Sequence, residues 1–531
     1  MLPYTLVSSA VFLSCVAAYK LVIFVPCVAK SQVVFNIRVA DTLSKAGHDV
    51  TMIMLQVLDE DDIKIVKVPS KIQTYYLNGS SGVKMKDFEE EQQEFIYQDL
   101  PIWDYRFRKM MNRATSLFIN SCKKILENKE FLEWLADQKF DLAFSYVMNA
   151  CPIGVIHHAK IPTWIWLNSA ALMEFVAYHM GVPLIPSYVP PMVMESTDTM
   201  NFLERTKSVI GYMLMIPIWK WIVTDKETAL FRELIDPDFP DLLELAKQCP
   251  LVMVNSNELY DYPRPTLAKI VNIGGIGAQL KDAKPLAPEY QRIADAGKGF
   301  IVFSFGSITP SEKMPLAWKT AFIEAFERFH NYHFIWRYVG ADLQGKLPSN
   351  VHTFKWLPQS DLLQHPNVKA FITHGGYNGM QEAISAGVPV IAIPLFGDQP
   401  KNARLAEHHG FAVRISKNNI TAESVAEALT KILNDQSYTM VIKRISNMVK
   451  KKPVSVSHLL VSWTEFVAEF KTLENLVPAG NKLNFVQYHS IDVIATIIAC
   501  TVSFMYILWR LLIFVVFKLI ALVNAKKLKK E

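Results

Sequence analysis

The sequence is poor in cysteine, in net charge and in repetition. Among 531 residues there are six cysteines, none at metal-ligand spacing, so no metal site is expected. A net charge of +5 is small for this length, and the last six residues alone hold four lysines. The folded body is therefore nearly neutral, which argues against a nucleic-acid partner. No internal repeat or low-complexity tract stands out.

The cysteines leave disulfide bonding open. Two of them, Cys15 and Cys500, lie in apolar terminal runs. The body then keeps Cys27, Cys122, Cys151 and Cys249. Four cysteines over so long a body are not a disulfide framework, and they allow one or two bridges without an assignable pairing.

The N-terminal apolar run, residues 6–18, has the length and the small-residue ending of a cleavable signal peptide. No Lys or Arg precedes it, and an uncleaved anchor or a buried first strand is the alternative. Because Lys20 follows and residues 21–25 already supply a separate strand, we predict a signal peptide at 1–18.

The C-terminal apolar run indicates a membrane anchor. Residues 493–509 carry no charge, and Arg510 and Lys518 just beyond can snorkel toward the interface. A buried soluble helix is the alternative, although such a helix rarely lacks a polar face for that distance. We predict a transmembrane segment at 491–523 and a cytosolic basic tail at 524–531, which gives a single-pass type I topology.

Two further signals concern the compartment. Residues 527–531 match a KxKxx pattern for retrieval to the endoplasmic reticulum, and a generic stop-transfer cluster has the same spacing. Asn78 and Asn419 begin N-glycosylation sequons, which are usable only if the body is lumenal. Two sequons in 531 residues also arise by chance, so they support the topology without deciding it.

A strand, a helix and a second strand open the body. Residues 21–26 are a continuous apolar run of the kind buried in a parallel sheet. Ser31 is expected to cap a helix that ends at Gly47, and residues 50–55 return as a strand. This unit predicts a doubly wound domain over 19–273. Its further strands are expected at 140–144, 163–167 and 251–254.

Between the last two of these strands, residues 170–240 are rich in Met, Phe, Trp and Pro. Prolines at 183, 186, 190 and 191 are expected to break regular structure. An ordinary irregular core is one interpretation. The other is an apolar pocket with a membrane-facing surface.

A length of 531 residues exceeds what one core usually organises, and a second alternating unit follows the first. Gly and Pro punctuate a predicted linker at 274–298. The second domain is expected at 299–453, and helices at 454–490 are expected to pack back toward the first domain. Beyond the opening run at 300–307, its strands are expected at 333–338, 351–356, 370–373, 388–393 and 411–415.

One segment of the second unit holds most of the chemistry. Trp356 offers a ring on which a base can stack, and the amide of Gln359 can both donate and accept. A turn with the sequence His374-Gly375-Gly376 leads from a strand into a helix that begins near Asn378. Glycines let the backbone approach a diphosphate, and the helix N-terminus attracts anions.

Other polar groups complete a nucleotide-sugar site. Glu382 lies one turn into that helix and can accept hydrogen bonds from ribose hydroxyls, whereas a solvent-exposed helix surface is its alternative role. Asp398 and Gln399 supply acceptors and donors for sugar hydroxyls. A further Gly-containing turn after a strand offers amides to the phosphates and comprises Ser304, Gly306 and Ser307.

This segment resembles the donor-binding signature of the UDP-glycosyltransferases, and the wider chain resembles their membrane-bound animal branch, the UDP-glucuronosyltransferases. The resemblance implies an α/β GT-B fold, in which two doubly wound Rossmann-like domains face each other. It also implies residence in the endoplasmic reticulum membrane with a lumenal body, and it favours an apolar acceptor pocket over an ordinary core for residues 170–240. It assigns donor binding to Ser304, Gly306, Ser307, Trp356, Gln359, His374, Gly375, Gly376, Asn378, Gly379, Glu382, Asp398 and Gln399.

The catalytic half departs from the family pattern. Related enzymes carry a His just after the first strand as the base for the acceptor hydroxyl, and the matching position here is Gln32. An amide can orient a hydroxyl but cannot take its proton. Vertebrate relatives have a supporting acid where this chain has Tyr146. By sequence position, His48 looks structural, and the pair His157 and His158 is compatible with either core or site.

The predicted function is inverting transfer of glucuronic acid or glucose from a UDP-sugar co-substrate to a small lipophilic acceptor, without a cofactor. Arg264 is a candidate partner for a glucuronate carboxylate, with a structural surface arginine as the alternative. Without a base, transfer is expected to be slow and to favour phenols or carboxylic acids. The alternative function is a donor-binding pseudoenzyme or regulatory subunit, and homo- or hetero-oligomers with related transferases are compatible with both.

Overall fold

The computed structural model describes residues 18–59, 66–100, 104–277, 284–307, 309 and 311–528. Residues 1–17 of the predicted signal peptide and residues 529–531 of the predicted tail lie outside these residues. Contacts divide the chain into two units, Met1–Leu476 and Val477–Glu531. Two parallel β-sheets lie in the first unit.

The N-terminal sheet has seven strands in the order β3-β2-β1-β4-β5-β6-β7, and all neighbours are parallel. Its strands are β1 (Lys20–Pro26), β2 (Asp49–Gln56), β3 (Gln73–Asn78), β4 (Leu142–Tyr146), β5 (Trp164–Asn168), β6 (Leu251–Val254) and β7 (Ile270–Asn272).

Among the described residues, nine helices accompany this sheet: α1 (Lys30–Lys45), α2 (Met85–Tyr97), α3 (Tyr105–Glu127), α4 (Lys129–Asp137), α5 (Cys151–His158), α6 (Glu174–His179), α7 (Phe202–Trp219), α8 (Asp225–Leu234) and α9 (Leu242–Lys247). A π-helical turn, Lys220–Thr224, joins α7 to α8.

The C-terminal sheet has six strands in the order β10-β9-β8-β11-β12-β13, again all parallel. They are β8 (Phe300–Ser304), β9 (His333–Arg337), β10 (Val351–Phe354), β11 (Val368–Thr373), β12 (Val390–Ala392) and β13 (Ala412–Arg414). The helices are α10 (Pro288–Ala294), α11 (Leu316–Glu327), α12 (Gln359–Leu363), α13 (Tyr377–Ala386), α14 (Gln399–His408), α15 (Ala422–Asn434), α16 (Gln436–Lys450) and α17 (Val456–Phe470).

Alternate residues of β1 enter the two cores on either side of the N-terminal sheet. Val22 and Phe24 belong to one apolar cluster, whereas Leu21, Ile23 and Val25 belong to the other. Both faces of the sheet are therefore covered, which explains why the strand is apolar without interruption. Residues on α17 are also buried in the second cluster.

The order of strands reverses in each sheet between two neighbouring strands, β1 and β4 in the first and β8 and β11 in the second. Ligands of open parallel sheets bind at such switch points, beyond the carboxyl ends of the strands. The segments that the sequence analysis singled out follow β1, β8 and β11. The topology therefore places them at the expected edges.

Several local predictions are corrected by the structure. Ser31 does not cap α1, because the helix starts at Lys30 after Ala29 and has no side-chain cap. Strands β3 and β7 were not predicted. The proline-rich stretch between α6 and α7 is irregular as expected, but residues 202–234 are almost entirely helical. The disulfide that spacing could not assign joins Cys122 to Cys151.

The second unit contains α18 (Phe485–Tyr488) and one long helix, α19 (Ile491–Leu528). Residues Ile491–Lys526 of α19 are long and apolar enough to cross a membrane. At 1.5 Å per residue such a helix exceeds the thickness of a bilayer core. The predicted span at 491–523 lies within it.

Candidate functional site

Two turns lie side by side at the switch point of the C-terminal sheet. The first follows β8, where the buried Ser304 hydroxyl accepts a hydrogen bond from the Gly306 amide at 3.2 Å. Gly306 has φ +78° and Gly375, in the turn after β11, has φ +83°. Side chains with a Cβ rarely adopt this conformation, so both turns depend on glycine.

The ring of His374 lies between the two turns. A Cβ added to Gly306 would lie 2.8 Å from its Cε1, and one added to Gly376 would lie 2.7 Å from its Nε2. The Thr373 hydroxyl is 3.3 Å from Nδ1. Burial and the nearby charge of Arg337 lower the pKa of His374 to about 4. The imidazole is therefore neutral near pH 7 and acts as a hydrogen-bonding group rather than a cation.

Arg337, the last residue of β9, brings a positive charge to the same turns and was missed in the sequence. Its Nη1 donates to the carbonyl of Gly306, and its guanidinium carbon lies 5.9 Å from the centroid of the Trp356 ring. Its buried Nε has no partner among the described residues. Burial lowers its pKa, although Arg stays charged at any physiological pH. An arginine that ends a buried strand beside a switch point was the available signal.

Trp356 presents an open aromatic face. Its side chain is 60% exposed, which is unusual for a tryptophan and leaves the ring free for stacking. Its carbonyl accepts a hydrogen bond from the Tyr290 hydroxyl at 2.9 Å, which fixes the backbone. Gln359 begins α12 just beyond it.

Glu382 on α13 is held from two sides. Its Oε2 accepts a hydrogen bond from Gln359 Nε2 at 2.9 Å, and its Oε1 lies 3.4 Å from Nη2 of Arg38 on α1. The structure thus joins two predicted donor residues and adds Arg38, which the sequence analysis did not identify.

Asn378 connects the donor-side helix to the N-terminal domain. Its Nδ2 donates to the carbonyl of Ser31 at 3.1 Å, and its Oδ1 accepts from Asn255 Nδ2 at 2.8 Å. The first turn of α1, which contains Gln32, is therefore placed against the first turn of α13. Neighbouring Gly379 is not required sterically, because an added Cβ would meet no atom closer than 3.6 Å.

Asp398 and Gln399 lie at the start of α14. Asp398 accepts from Asn402 Nδ2 at 2.9 Å, and burial raises the pKa of its carboxyl group. The side-chain oxygen Oε1 of Gln399 accepts hydrogen bonds from the backbone amides of Leu395 and Phe396 at 2.9 and 3.1 Å. Because Oε1 is used in these two hydrogen bonds, only the side-chain NH2 group of Gln399 is left to donate to a ligand.

On the catalytic side, Gln32 is half-buried, and its side chain makes no hydrogen bond to any residue that the structure describes. Tyr146, at the carboxyl end of β4, is buried. Burial and the nearby Glu227 raise its pKa, so the phenol stays protonated. Tyr146 is therefore no substitute for an acid that supports a base.

His48, His157 and His158, the other histidines weighed in the sequence analysis, lie away from the switch point. His48 is buried just before β2, with Nε2 3.3 Å from a Glu465 oxygen, which agrees with a structural role. His157 and His158 are exposed at the end of α5, and α5 starts from the carboxyl edge of the sheet. They therefore lie toward the opposite edge.

Comparison with known proteins decides the family. A model described as UDP-glucoronosyl and UDP-glucosyl transferase matches residues 21–527. The chain belongs to this family. UDP-glucuronosyltransferase 1-2 of Rattus norvegicus is 33% identical to it over 397 residues, which cover 74% of this chain and 73% of the relative. UDP-glucuronosyltransferase 2B7 of Homo sapiens is 29% identical, with 93% and 92% covered.

Solved structures agree with the fold of this UDP-glycosyltransferase. CalG4, the calicheamicin glycosyltransferase, matches with a TM-score of 0.55 at 14% identity, covering 86% of this chain and all of its own. A UDP-glucosyltransferase from Polygonum tinctorium matches with a TM-score of 0.57 at 16% identity, covering 85% and 99%. The expected GT-B fold is confirmed.

Arg264 of this UDP-glycosyltransferase lies near Tyr212 on α7. Burial raises the pKa of the Tyr212 phenol, and the charge of Arg264 partly offsets that rise. Its Nε and Nη2 are buried and have no partner within the described residues. No hydrogen bond in that part of the chain joins it to the predicted donor residues. A role toward a sugar carboxylate stays a prediction.

The two sequons of the transferase are accessible. Asn78 is exposed at the end of β3, and Asn419 is exposed before α15. Within the described ranges, no group of three or more His, Cys, Asp or Glu side chains could hold a metal ion.

Proposed function

We propose that this UDP-glycosyltransferase moves glucose or glucuronic acid from a UDP-sugar to a small lipophilic acceptor with inversion, using no cofactor. The observation that carries the proposal is the position of His374, enclosed between two glycine turns beside the buried charge of Arg337. Glycine amides, a neutral imidazole and an arginine with an unpaired Nε form a cradle suited to a diphosphate.

The remaining donor contacts follow from the surrounding side chains. The exposed face of Trp356 stacks on uracil, and the fixed carboxylate of Glu382 accepts from the ribose hydroxyls. Asp398 and the amide NH2 of Gln399 bind sugar hydroxyls. The N-terminus of α13 adds its dipole to the diphosphate site.

In the reaction, the acceptor oxygen attacks the anomeric carbon while the bond from that carbon to the UDP oxygen breaks. The leaving diphosphate is stabilised by the amides and by Arg337, so no strong general acid is needed. Gln32 orients the acceptor but cannot take its proton, so the acceptor loses that proton to water before or as its oxygen attacks. Transfer therefore favours acceptors that ionise readily, with a pKa of about 10 for a phenol or about 4 for a carboxylic acid.

The acceptor is proposed to reach the cleft from a membrane surface. Apolar side chains on one face of α7 and the following turn are exposed: Leu203, Ile210, Met213, Leu214 and Trp221. Their spacing of three, four or seven residues forms one stripe along the helix. Exposed apolar stripes with flanking lysines and tryptophan favour a lipid interface. Lipophilic acceptors concentrate in the same interface.

The compartment is proposed to be the lumen of the endoplasmic reticulum, with α19 as a single-pass anchor. Three observations support a lumenal body. The Cys122–Cys151 disulfide requires an oxidising compartment, and both sequon asparagines are exposed. Residues Ile491–Lys526 meet the length and apolarity of a membrane span.

A second candidate function is a non-catalytic binding subunit that assembles with active relatives. The observation in its favour is the catalytic edge, where the amide of Gln32 cannot take a proton and burial keeps the phenol of Tyr146 protonated. Both functions predict UDP binding. Only turnover separates them.

The test is turnover of UDP-glucose and UDP-glucuronate by the purified full-length chain in detergent, with a panel of phenols, carboxylic acids and simple alcohols. The proposal predicts sugar transfer to phenols or carboxylic acids at rates well above those with alcohols. UDP binding without transfer to any acceptor would favour the subunit. Equal turnover of phenols and alcohols would contradict the proposed mechanism.

A further inference from the structure

We infer that Arg38 of the N-terminal domain is a positioning residue for the donor, acting through Glu382 so that selectivity for the nucleotide ribose depends on both domains. The inference rests on the proposed function, because that function assigns ribose binding to Glu382. It concerns a residue outside the donor segment, 344 positions earlier in the chain.

Residues of both domains contact the Glu382 carboxylate. Arg38 Nη2 lies 3.4 Å from Oε1, and Gln359 Nε2 donates to Oε2 at 2.9 Å. The Arg38 and Glu382 side chains are 24% and 16% exposed, so solvent screens their attraction less than it would on an open surface. The N-terminal domain therefore fixes one oxygen and the C-terminal domain fixes the other.

Arg38 is itself held in place by the segment that leads out of the N-terminal domain. A Cβ at Gly277 would lie 2.8 Å from the Arg38 Cγ, so the arginine stem packs directly on that glycine. Two residues earlier, the Gly275 amide donates to Gln381 Oε1 at 3.1 Å. Gln381 precedes Glu382 on α13. The same short segment thus contacts both Arg38 and the helix that carries its partner.

The consequence concerns hydroxyl recognition. A carboxylate offers about four acceptor positions, so Arg38 and Gln359 leave room for hydroxyl groups. A carboxylate fixed at both oxygens distinguishes a ribose from a deoxyribose, because a missing hydroxyl leaves an acceptor unsatisfied. Without Arg38, one oxygen loses its partner, and the carboxylate can turn toward water instead. The preference for the 2′-hydroxyl should then shrink.

The experiment compares UDP with 2′-deoxy-UDP by calorimetric titration of the full-length chain in detergent. The variants are Arg38→Ala, Arg38→Lys, Glu382→Gln and the double variant Arg38→Ala/Glu382→Gln. Arg328→Ala is the matched control, since Arg328 forms a 2.7 Å ion pair with Glu423 on the surface of the C-terminal domain.

We expect the unaltered protein to prefer UDP by about tenfold, the size of one hydrogen bond to a charged group. Arg38→Ala should remove most of this preference, and it should weaken the binding of UDP more than the binding of 2′-deoxy-UDP. Arg38→Lys should keep part of it, and Arg328→Ala all of it. In the Glu382→Gln background, Arg38→Ala should change neither affinity further, because the two residues act in series.

Equal weakening of both nucleotides by Arg38→Ala, or additive effects in the double variant, would overturn the inference while leaving the donor site intact. If Arg38→Ala does not fold, Arg38→Lys provides the test. The inference would also be overturned if Arg38→Lys kept the full preference for UDP over 2′-deoxy-UDP and Glu382→Gln had the same effect on UDP binding with and without Arg38→Lys. Failure of the unaltered protein to bind UDP would instead reject the proposed function.

Discussion

Asn378 donates a hydrogen bond to the carbonyl of Ser31 at 3.1 Å, and so joins the donor-side helix to the helix that carries the catalytic position. The two residues are 347 positions apart in the chain. Gln32 is the next residue after Ser31. The amide of Gln32, which we propose occupies the position of the family's histidine, therefore lies beside the predicted donor site.

Gln32→His should raise the rate of transfer to simple alcohols most. A general base is typically worth about 10² to 10⁴ in rate, and an alcohol gains nearly all of that because it does not ionise unaided. A phenol should gain much less. Initial rates with matched phenol and alcohol acceptors measure the difference.

Gln32→Asn is the matched control for this substitution, since it keeps an amide and should leave the phenol-to-alcohol ratio unchanged. An equal gain on both acceptors in Gln32→His would show that the missing base is not what limits transfer.

Trp356→Ala should weaken UDP binding by about tenfold or more, because stacking of a base on an aromatic ring contributes about 1–3 kcal/mol. Trp356→Phe should retain part of the affinity. Trp221→Ala is the control, since Trp221 is exposed to a similar degree, 64% against 60%, but lies after α7. Titration calorimetry with UDP checks all three variants. An unchanged affinity in Trp356→Ala would show that uracil does not stack on this ring.

Binding of UDP-glucose should strengthen as the pH falls toward about 4, the pKa of the free His374 ring. The pKa of His374 is lowered to about 4 in the free protein, and a diphosphate placed beside the ring raises it, so binding takes up a proton. UDP-glucose suits this test because its diphosphate has no titrating terminal phosphate. The slope should disappear in His374→Ala, and persistence of the same slope there would assign it to another group.

Glu227 should make the folded state less stable as the pH rises. Its carboxylate is fully buried and accepts from the Ala150 amide at 2.8 Å, and burial raises its pKa from 4.5 to about 8. Between these values the folded state holds a proton that the unfolded state has lost. The stability this provides is complete below about pH 4.5 and is lost as the pH rises through about 8.

Glu227→Gln keeps an acceptor for the Ala150 amide and cannot titrate. Urea unfolding between about pH 5.5 and 8 should therefore show a smaller loss of stability with rising pH in this variant, by up to about 1.4 kcal/mol per pH unit. Parallel curves for the two proteins would mean that Glu227 is ionised in the fold.

The parts of the fold that follow from local pattern were predictable. The continuous apolar run of β1 and the glycine-rich turn after β11 each indicate their structure from a few neighbouring residues. Strand β3 was missed because its sequence, QTYYLN, mixes polar and aromatic residues at the sheet edge. Ser31 has the residue type of a cap, but α1 begins one residue before it.

The missed site residues share a different cause. Arg38 and Asn255 contact α13 across 344 and 123 positions of sequence, and nothing in their immediate neighbours indicates such a partner. Arg337 ends a buried strand, which is a signal in the sequence, but only the fold places its guanidinium group beside the ring of Trp356. The pairing of Cys122 with Cys151 likewise depends on how α3 packs near α5.

The most direct test of the account is calorimetric titration of the full-length chain with UDP-glucose, comparing the unaltered protein with His374→Ala. His330→Ala is the control, an exposed histidine in the same domain. The account predicts saturable binding by the unaltered protein and by the control, and at least about tenfold weaker binding by His374→Ala. No detectable binding by the unaltered protein, or equal affinity after loss of His374, would contradict it.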